Sequence, residues 1–334
     1  MKDLKDIRDD IDRIDRQIVD LYEKRMDLAT QVADYKISTG KQVFDAEREI
    51  AKLNAVAQMA HSDFTSHGAR ELFEHIMSMS RKKQYQLLTE YGKFAPTGFV
   101  EIRELDFSHA AAAYIETSAA AAREYFSKAA EVSWAAWEYP AESERRCDTA
   151  AQGESPLTAE RKDAVDSDRQ DTQTRGCGLL LCENWREACE VLKKGEVNYL
   201  FLPVQDPASG YVSANYNLIA EYGFYILEEY WTSPEPQDCY VLISKDKLSL
   251  SGADKISICF EAPDTCGSLY HLMSHLTYNN LNMNRIESIV ISREPLDYRF
   301  FMNISGNLND SPIKNAILGL RDEARNFKIL GNYR

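Results

Sequence analysis

Disulfide and metal chemistry find little to work with in this chain. Its seven cysteines are odd in number and include no Cys-x-x-Cys, a pattern of reduced, mostly buried thiols. The histidines His61, His67, His75, His109, His271 and His275 are scattered. The last two stand at i, i+4 without a His-Glu-x-x-His or a neighbouring cysteine, so no metal site is expected. The N-terminus shows no apolar signal stretch and no run of 18 apolar residues occurs, which points to a cytoplasmic protein without membrane partners. Positive charge is also scarce: 39 Lys and Arg against 53 Asp and Glu leave a formal charge of −14, unsuited to nucleic acid or an anionic membrane. Any anionic substrate must be drawn by local arginines. With 334 residues, 44% hydrophobic, the chain can hold two or three domains with real cores.

What is present begins with a helix from about Leu4 to Ser38. Ile7, Ile14, Leu21, Leu28 and Tyr35 form one seven-residue row and Ile11, Ile18, Arg25 and Val32 the other, so Arg25 alone interrupts the apolar seam. A guanidinium there loses hydration worth several kcal/mol unless an anion meets it. That anion is either a bound ligand or an acid on a facing helix. Lys36 follows by three turns and projects toward the same side, roughly 16 Å along the axis. A second helix is expected from near Asp45, carrying Arg48 and Glu49, and a third from about Ala69 to Glu90 with Ser80 and Gln84 one turn apart.

Arg8, Arg25, Lys36, Asp45, Arg48, Glu49, Ser80 and Gln84, set in LYEKRMDLATQVADYK and FDAEREIAKL, resemble in order the active-site set of the all-helical chorismate mutase family over residues 1 to about 90. The resemblance implies that Arg25 and Arg8 clamp the two carboxylates of chorismate, Arg8 coming from the other subunit of an intertwined homodimer. Lys36 and Gln84 would bond the ether oxygen, Glu49 and the backbone at Asp45 the ring hydroxyl, and Arg48 and Ser80 would order the carboxylates. Conversion of chorismate to prephenate is a concerted [3,3] shift, so positioning and electrostatics suffice and no cofactor is implied. Gln84 donates at any ordinary pH, where a glutamate would need a proton, so activity is expected to persist at mildly alkaline pH. The helix length, roughly 50 Å, agrees with a dimer: a ninety-residue domain is narrower than that. Arg8 also lies about 100° off the face of Arg25 and could hardly share its ligand.

Residues 95–250 read as an α/β lobe. Ser108 to Lys128 is alanine-rich and expected to be helical. Residues 141–175 hold almost no large apolar side chain and are expected to be a mobile segment. Strand GLLLC, helix NWREACEVLKKG, strand NYLFLPV, a helix near Ala214 to Glu221 and strands near Phe224 to Glu228 and Tyr240 to Ser244 follow. FSHAAAAYI, ENWREACEVLKKGEVNYLFLPV and YVSANYNLIAEYGFYILEE resemble the first lobe of prephenate dehydratase. The departures bear on activity. Pro203, Val204, Gln205, Asp206, Pro207 and Ala208 replace the family's Glu-Asn-Ser-Ser loop, and Asp238, Cys239 and Tyr240 its Thr-Arg-Phe. Glu101 and Ile102 replace its Gln-Gly, and Ser108 survives. Nine residues separate Leu227 from Gln237, too few for the family's second lobe. This region is read as a truncated, degenerate lobe without dehydratase activity.

Residues 251–334 read as βαββαβ. NNLNMNRIES, PLDYRFF and FKILGNY resemble the α+β ACT regulatory domain, whose phenylalanine site implies an allosteric role for Gly267, Ser268, Leu269, Glu287 and Ser288. Ile289 and Val290 stand where the family has Arg-Pro, which leaves phenylalanine as a weakened ligand and dimerisation as the alternative role. The reading is therefore a homodimeric chorismate mutase (1–91) with a degenerate lobe (95–250) and an ACT domain (251–334), serving aromatic amino-acid biosynthesis. Its rivals are an intact bifunctional mutase and dehydratase, and a non-enzymatic amino-acid sensor.

Overall fold

A computed structural model describes residues 2–107, 110–130, 178–206, 210–233, 237–262, 264–293 and 296–334. Ser108, Pro207, Ala208 and the segment 141–175 lie outside the described residues. Helix α1 spans Leu4–Thr39 and stops at Gly40, whose φ of 70° supplies the left-handed turn. Helix α2 (Ala46–Gln58) starts on Asp45, whose side chain accepts the Arg48 backbone N–H. Helix α3 is Asp63–Glu90, beginning six residues before the expected Ala69, because Ser62 and Thr65 close a capping box.

Strand β1 (Val100–Ile102) follows, then β2 (Ala111–Ile115), a short 3-10 turn and α4 (Ala119–Ala130). The alanine-rich stretch expected to be one helix is thus strand first. Ala112 and Ala113 are fully buried, where their small side chains fit a packed strand. Next come β3 (Gly178–Cys182), α5 (Trp185–Lys194, capped by Asn184), β4 (Tyr199–Asp206), β5 (Gly210–Tyr211), α6 (Ser213–Tyr222), β6 (Tyr225–Trp231), β7 (Cys239–Ser244) and β8 (Leu248–Leu250). The last stretch runs β9 (Lys255–Glu261), α7 (Ser268–Tyr278), β10 (Met283–Arg293), β11 (Leu296–Ser305), α8 (Ser311–Glu323) and β12 (Arg325–Tyr333).

Two compact units result, Met1–Leu105 with Leu200–Arg334, and Asp106–Tyr199. In the smaller unit β2 and β3 pair in parallel. In the larger one a mixed sheet runs β10-β11-β9-β12-β6-β7-β4. β12 meets β6 in parallel while β6, β7 and β4 are antiparallel neighbours. A core of Ile256, Ile258, Phe260, Met302, Ile304, Ile317 and Leu320 joins the sheet to α7 and α8. These two helices close tightly because Gly319 has no side chain: a Cβ there would stand 2.3 Å from the His275 ring. Helix α3 packs against α1 and α2 and also against α7 and α8.

Four described cysteines, Cys182, Cys189, Cys239 and Cys259, are buried free thiols, and Cys266 is exposed. No helix of the described residues is long and apolar enough to cross a membrane.

Candidate active site

A cavity of about 530 Å³ opens between α1, α2 and α3, within the range of small-molecule sites. Arg25, Lys36, Asp45, Arg48, Glu49, Ser80 and Gln84 all line it, with Leu28, Ala29, Val32, Val43 and Met77 as apolar wall. Arg8 does not. It lies exposed on α1, away from this cavity, on a stretch where Ile7, Ile11, Ile14, Ile18 and Leu21 are also exposed.

The local turns set the geometry. Gly40 ends α1 so that the chain doubles back, and Lys36 Nζ donates to the Val43 carbonyl at 2.5 Å across that turn. Arg25 is half-buried and bonds only neutral groups, the Ser80 hydroxyl and the Ile76 carbonyl at 3.2 Å. No acid lies within ion-pair distance of it among the described residues. Burial lowers its pKa, against the opposing charge of Glu49. Lys36 is lowered too, first by burial and then by Arg48. Gln84 is buried, donates from Nε2 to the Ser80 carbonyl at 3.1 Å, and leaves Oε1 without a hydrogen-bond partner. Arg25 and Lys36, without acid partners, thus face one cavity with the second Nε2 hydrogen of Gln84 left as a donor, an arrangement fit to bind an anion with an acceptor oxygen.

The acid on a facing helix, considered for Arg25, serves a different arginine. Arg81 is buried, with Nη1 at 2.5 Å from Glu49 Oε2 and Nε at 2.7 Å from Glu323 Oε1. Burial alone would lower its pKa, but the two carboxylates raise it. Burial alone would raise Glu323, yet His275 and Arg81 hold it down at about 2. Sequence reasoning missed Arg81 because it opens an Arg-Lys-Lys run, an ordinary mark of a solvated face. The run is covered by α7 and α8, and Lys82 lies over the Tyr278 ring. Just before α7, Gly267 has a φ of 79° and its successors Ser268 and Leu269 begin the helix, while Glu287 and Ser288 lie on β10 opposite Phe301 and Phe300.

Residues 7–85 match the family described as chorismate mutase type II. Along its length the chain is 24% identical to the bifunctional chorismate mutase/prephenate dehydratase of Aquifex aeolicus (strain VF5), covering 100% of this chain and 98% of that protein. The enzyme of the same name from Neisseria gonorrhoeae is 29% identical over 94 residues, 28% of this chain and 26% of its own. Among solved structures, prephenate dehydratase from Streptococcus mutans covers 47% of this chain and 85% of its own at 21% identity, with a TM-score of 0.42, too low to define the lobe's fold. The N-terminal helical residues therefore match the chorismate mutase type II family, and the chain is similar along its whole length to one bifunctional mutase/dehydratase.

Proposed function

We propose that this protein converts chorismate to prephenate in aromatic amino-acid biosynthesis, without a cofactor, as a homodimer organised as mutase (1–91), degenerate dehydratase-like lobe (95–250) and ACT domain (251–334). The observation that carries the reading is the convergence of Arg25, Lys36 and Gln84 on one cavity where neither Arg25 nor Lys36 has a carboxylate within ion-pair distance among the described residues, Glu49 being engaged by Arg81. In this reading Arg25 takes one substrate carboxylate and Arg8 of the partner subunit the other. Lys36 and Gln84 stabilise negative charge on the breaking ether oxygen, Glu49 and the Asp45 backbone hold the ring hydroxyl, and Arg48 and Ser80 order the carboxylates. Because the step needs no proton transfer, holding the compact conformer and shielding the oxygen account for the rate.

The exposed apolar row of α1 supports the dimer, since a contiguous patch of that kind is normally covered by a partner. The test uses purified protein, with chorismate and prephenate followed by NMR. Arg8→Ala and Arg25→Ala chains are each expected to turn over only slowly alone, but refolded mixtures should regain activity through the one intact site in each heterodimer. Mixtures that stay inactive rule out shared sites.

The whole-length similarity to one bifunctional enzyme favours, as a second reading, a chain that also dehydrates prephenate. For the C-terminal domain we propose phenylalanine as a weak allosteric ligand at Gly267, Ser268 and Leu269 with Glu287 and Ser288. Ile289 and Val290 bring no cation to its carboxylate, so calorimetric titration should show binding weaker than micromolar. Micromolar binding overturns that proposal.

A further inference from the structure

Asp322 and Glu323 stand in the last turn of α8, the negative end of a helix dipole, where acids are disfavoured. Partners beyond the helix hold both. Asp322 Oδ2 accepts the Phe44 backbone N–H and the Tyr85 hydroxyl, each at 2.7 Å. Glu323 accepts Arg81 Nε and Nη2 at 2.7 and 3.2 Å and meets His275 Nε2 at 2.9 Å. The remaining arm of the same guanidinium, Nη1, reaches Glu49. Phe44 immediately precedes the Asp45 cap, and Glu49 lies on the cavity wall. One helix end from the C-terminal part of the chain therefore holds both the turn that starts α2 and a carboxylate of the site.

We propose that Arg81 is a positioning residue of the mutase site: it fixes the Glu49 carboxylate at the cavity wall, while Glu323, held by His275, fixes Arg81. The inference rests on the reading of Glu49 as acceptor for the substrate's ring hydroxyl. A free carboxylate there would swing among rotamers and repel a dianionic substrate. Bound to Arg81 Nη1 through one oxygen, it keeps the other for a hydroxyl while part of its charge is offset. A merely structural ion pair would need Arg81 and Glu323 alone; the third contact points the network into the site.

The experiment is a double-mutant cycle in the full chain with Arg81→Met, Glu49→Gln and both. Arg81→Met is expected to lower kcat/KM for chorismate by about tenfold or more. In the Glu49→Gln background the same substitution should cost less than about twofold, because the charge that Arg81 orients is gone; groups in contact couple on this scale. Losses that simply multiply, or an Arg81→Met enzyme with full activity, overturn the proposal and leave the mutase reading standing. A wild-type protein that does not turn chorismate over sinks the reading and the proposal with it. Arg81→Met also leaves Glu323 without its arginine partner in a buried site. If melting shows that variant unfolded, Arg81→Met with Glu323→Gln removes the stranded charge and carries the same cycle.

Discussion

Arg25→Ala is expected to lower kcat/KM for chorismate by about 30- to 1,000-fold, from the ~2–4 kcal/mol that one charge-assisted contact in a desolvated site adds to transition-state binding. Arg25 is suited to such an effect because its charge is not already neutralised. Its hydrogen bonds go to the Ser80 hydroxyl and the Ile76 carbonyl, and burial pushes its pKa down against the opposing charge of Glu49. Stability should change little. Ser80 keeps its own bond to the Ile76 carbonyl at 2.8 Å, so truncating Arg25 strands no buried donor. Initial rates beside thermal melting separate the two effects. A variant with unchanged melting and more than about a tenth of wild-type efficiency would sink the assignment of Arg25 to the substrate.

How far such a site can be read from sequence depends on which face of a helix its residues occupy. Arg25 was legible because its α1 row is otherwise apolar, and a single charge on a periodic seam stands out. Lys36 and Gln84 were legible only through spacing and resemblance, since an isolated Lys or Gln is ordinary. Arg81 was not legible. It follows Ser80 directly, and its environment is made by His275 and Glu323, some 190 and 240 positions further on. The same limit explains the start of α2, where Asp45 reads as a cap from sequence but the Phe44 N–H is satisfied by Asp322, 278 positions away. At Ala111–Ile115 the error had another source. Alanine has high helix propensity, but pairing with a parallel neighbour, with Ala112, Ala113 and Tyr114 buried, overrode the local preference. The βαββαβ order of the last eighty residues was legible because each element carries its own hydrophobic period, with little needed from elsewhere.

Prephenate incubated with the protein near neutral pH is expected to give no enzyme-dependent phenylpyruvate. Loss of water and carbon dioxide needs a donor for the departing oxygen and a fixed carboxylate, and general-acid help alone is typically worth about 10²–10⁴-fold. By the resemblance drawn from Pro203–Asp206 and Asp238–Tyr240, a threonine hydroxyl and an arginine should sit at 238 and 239. Asp238 offers a carboxylate, and its backbone carbonyl accepts the Thr232 N–H at 3.0 Å, which ties it to the end of β6. Cys239 is buried in β7, and burial together with Glu229 pushes its thiol pKa up, so it stays neutral beside an acid where a cation is wanted. Gln205 pairs with Cys239 and Pro203 with Tyr240, so residues that would belong to a hydroxyl-bearing loop are committed to a strand ladder. Restoring Thr and Arg at 238 and 239 should not rescue activity, because the arginine would enter a buried strand position. Phenylpyruvate formed at a rate proportional to protein, above the spontaneous loss seen in acid, would overturn this prediction. The protein would then work as a bifunctional enzyme with donors other than those at 238 and 239.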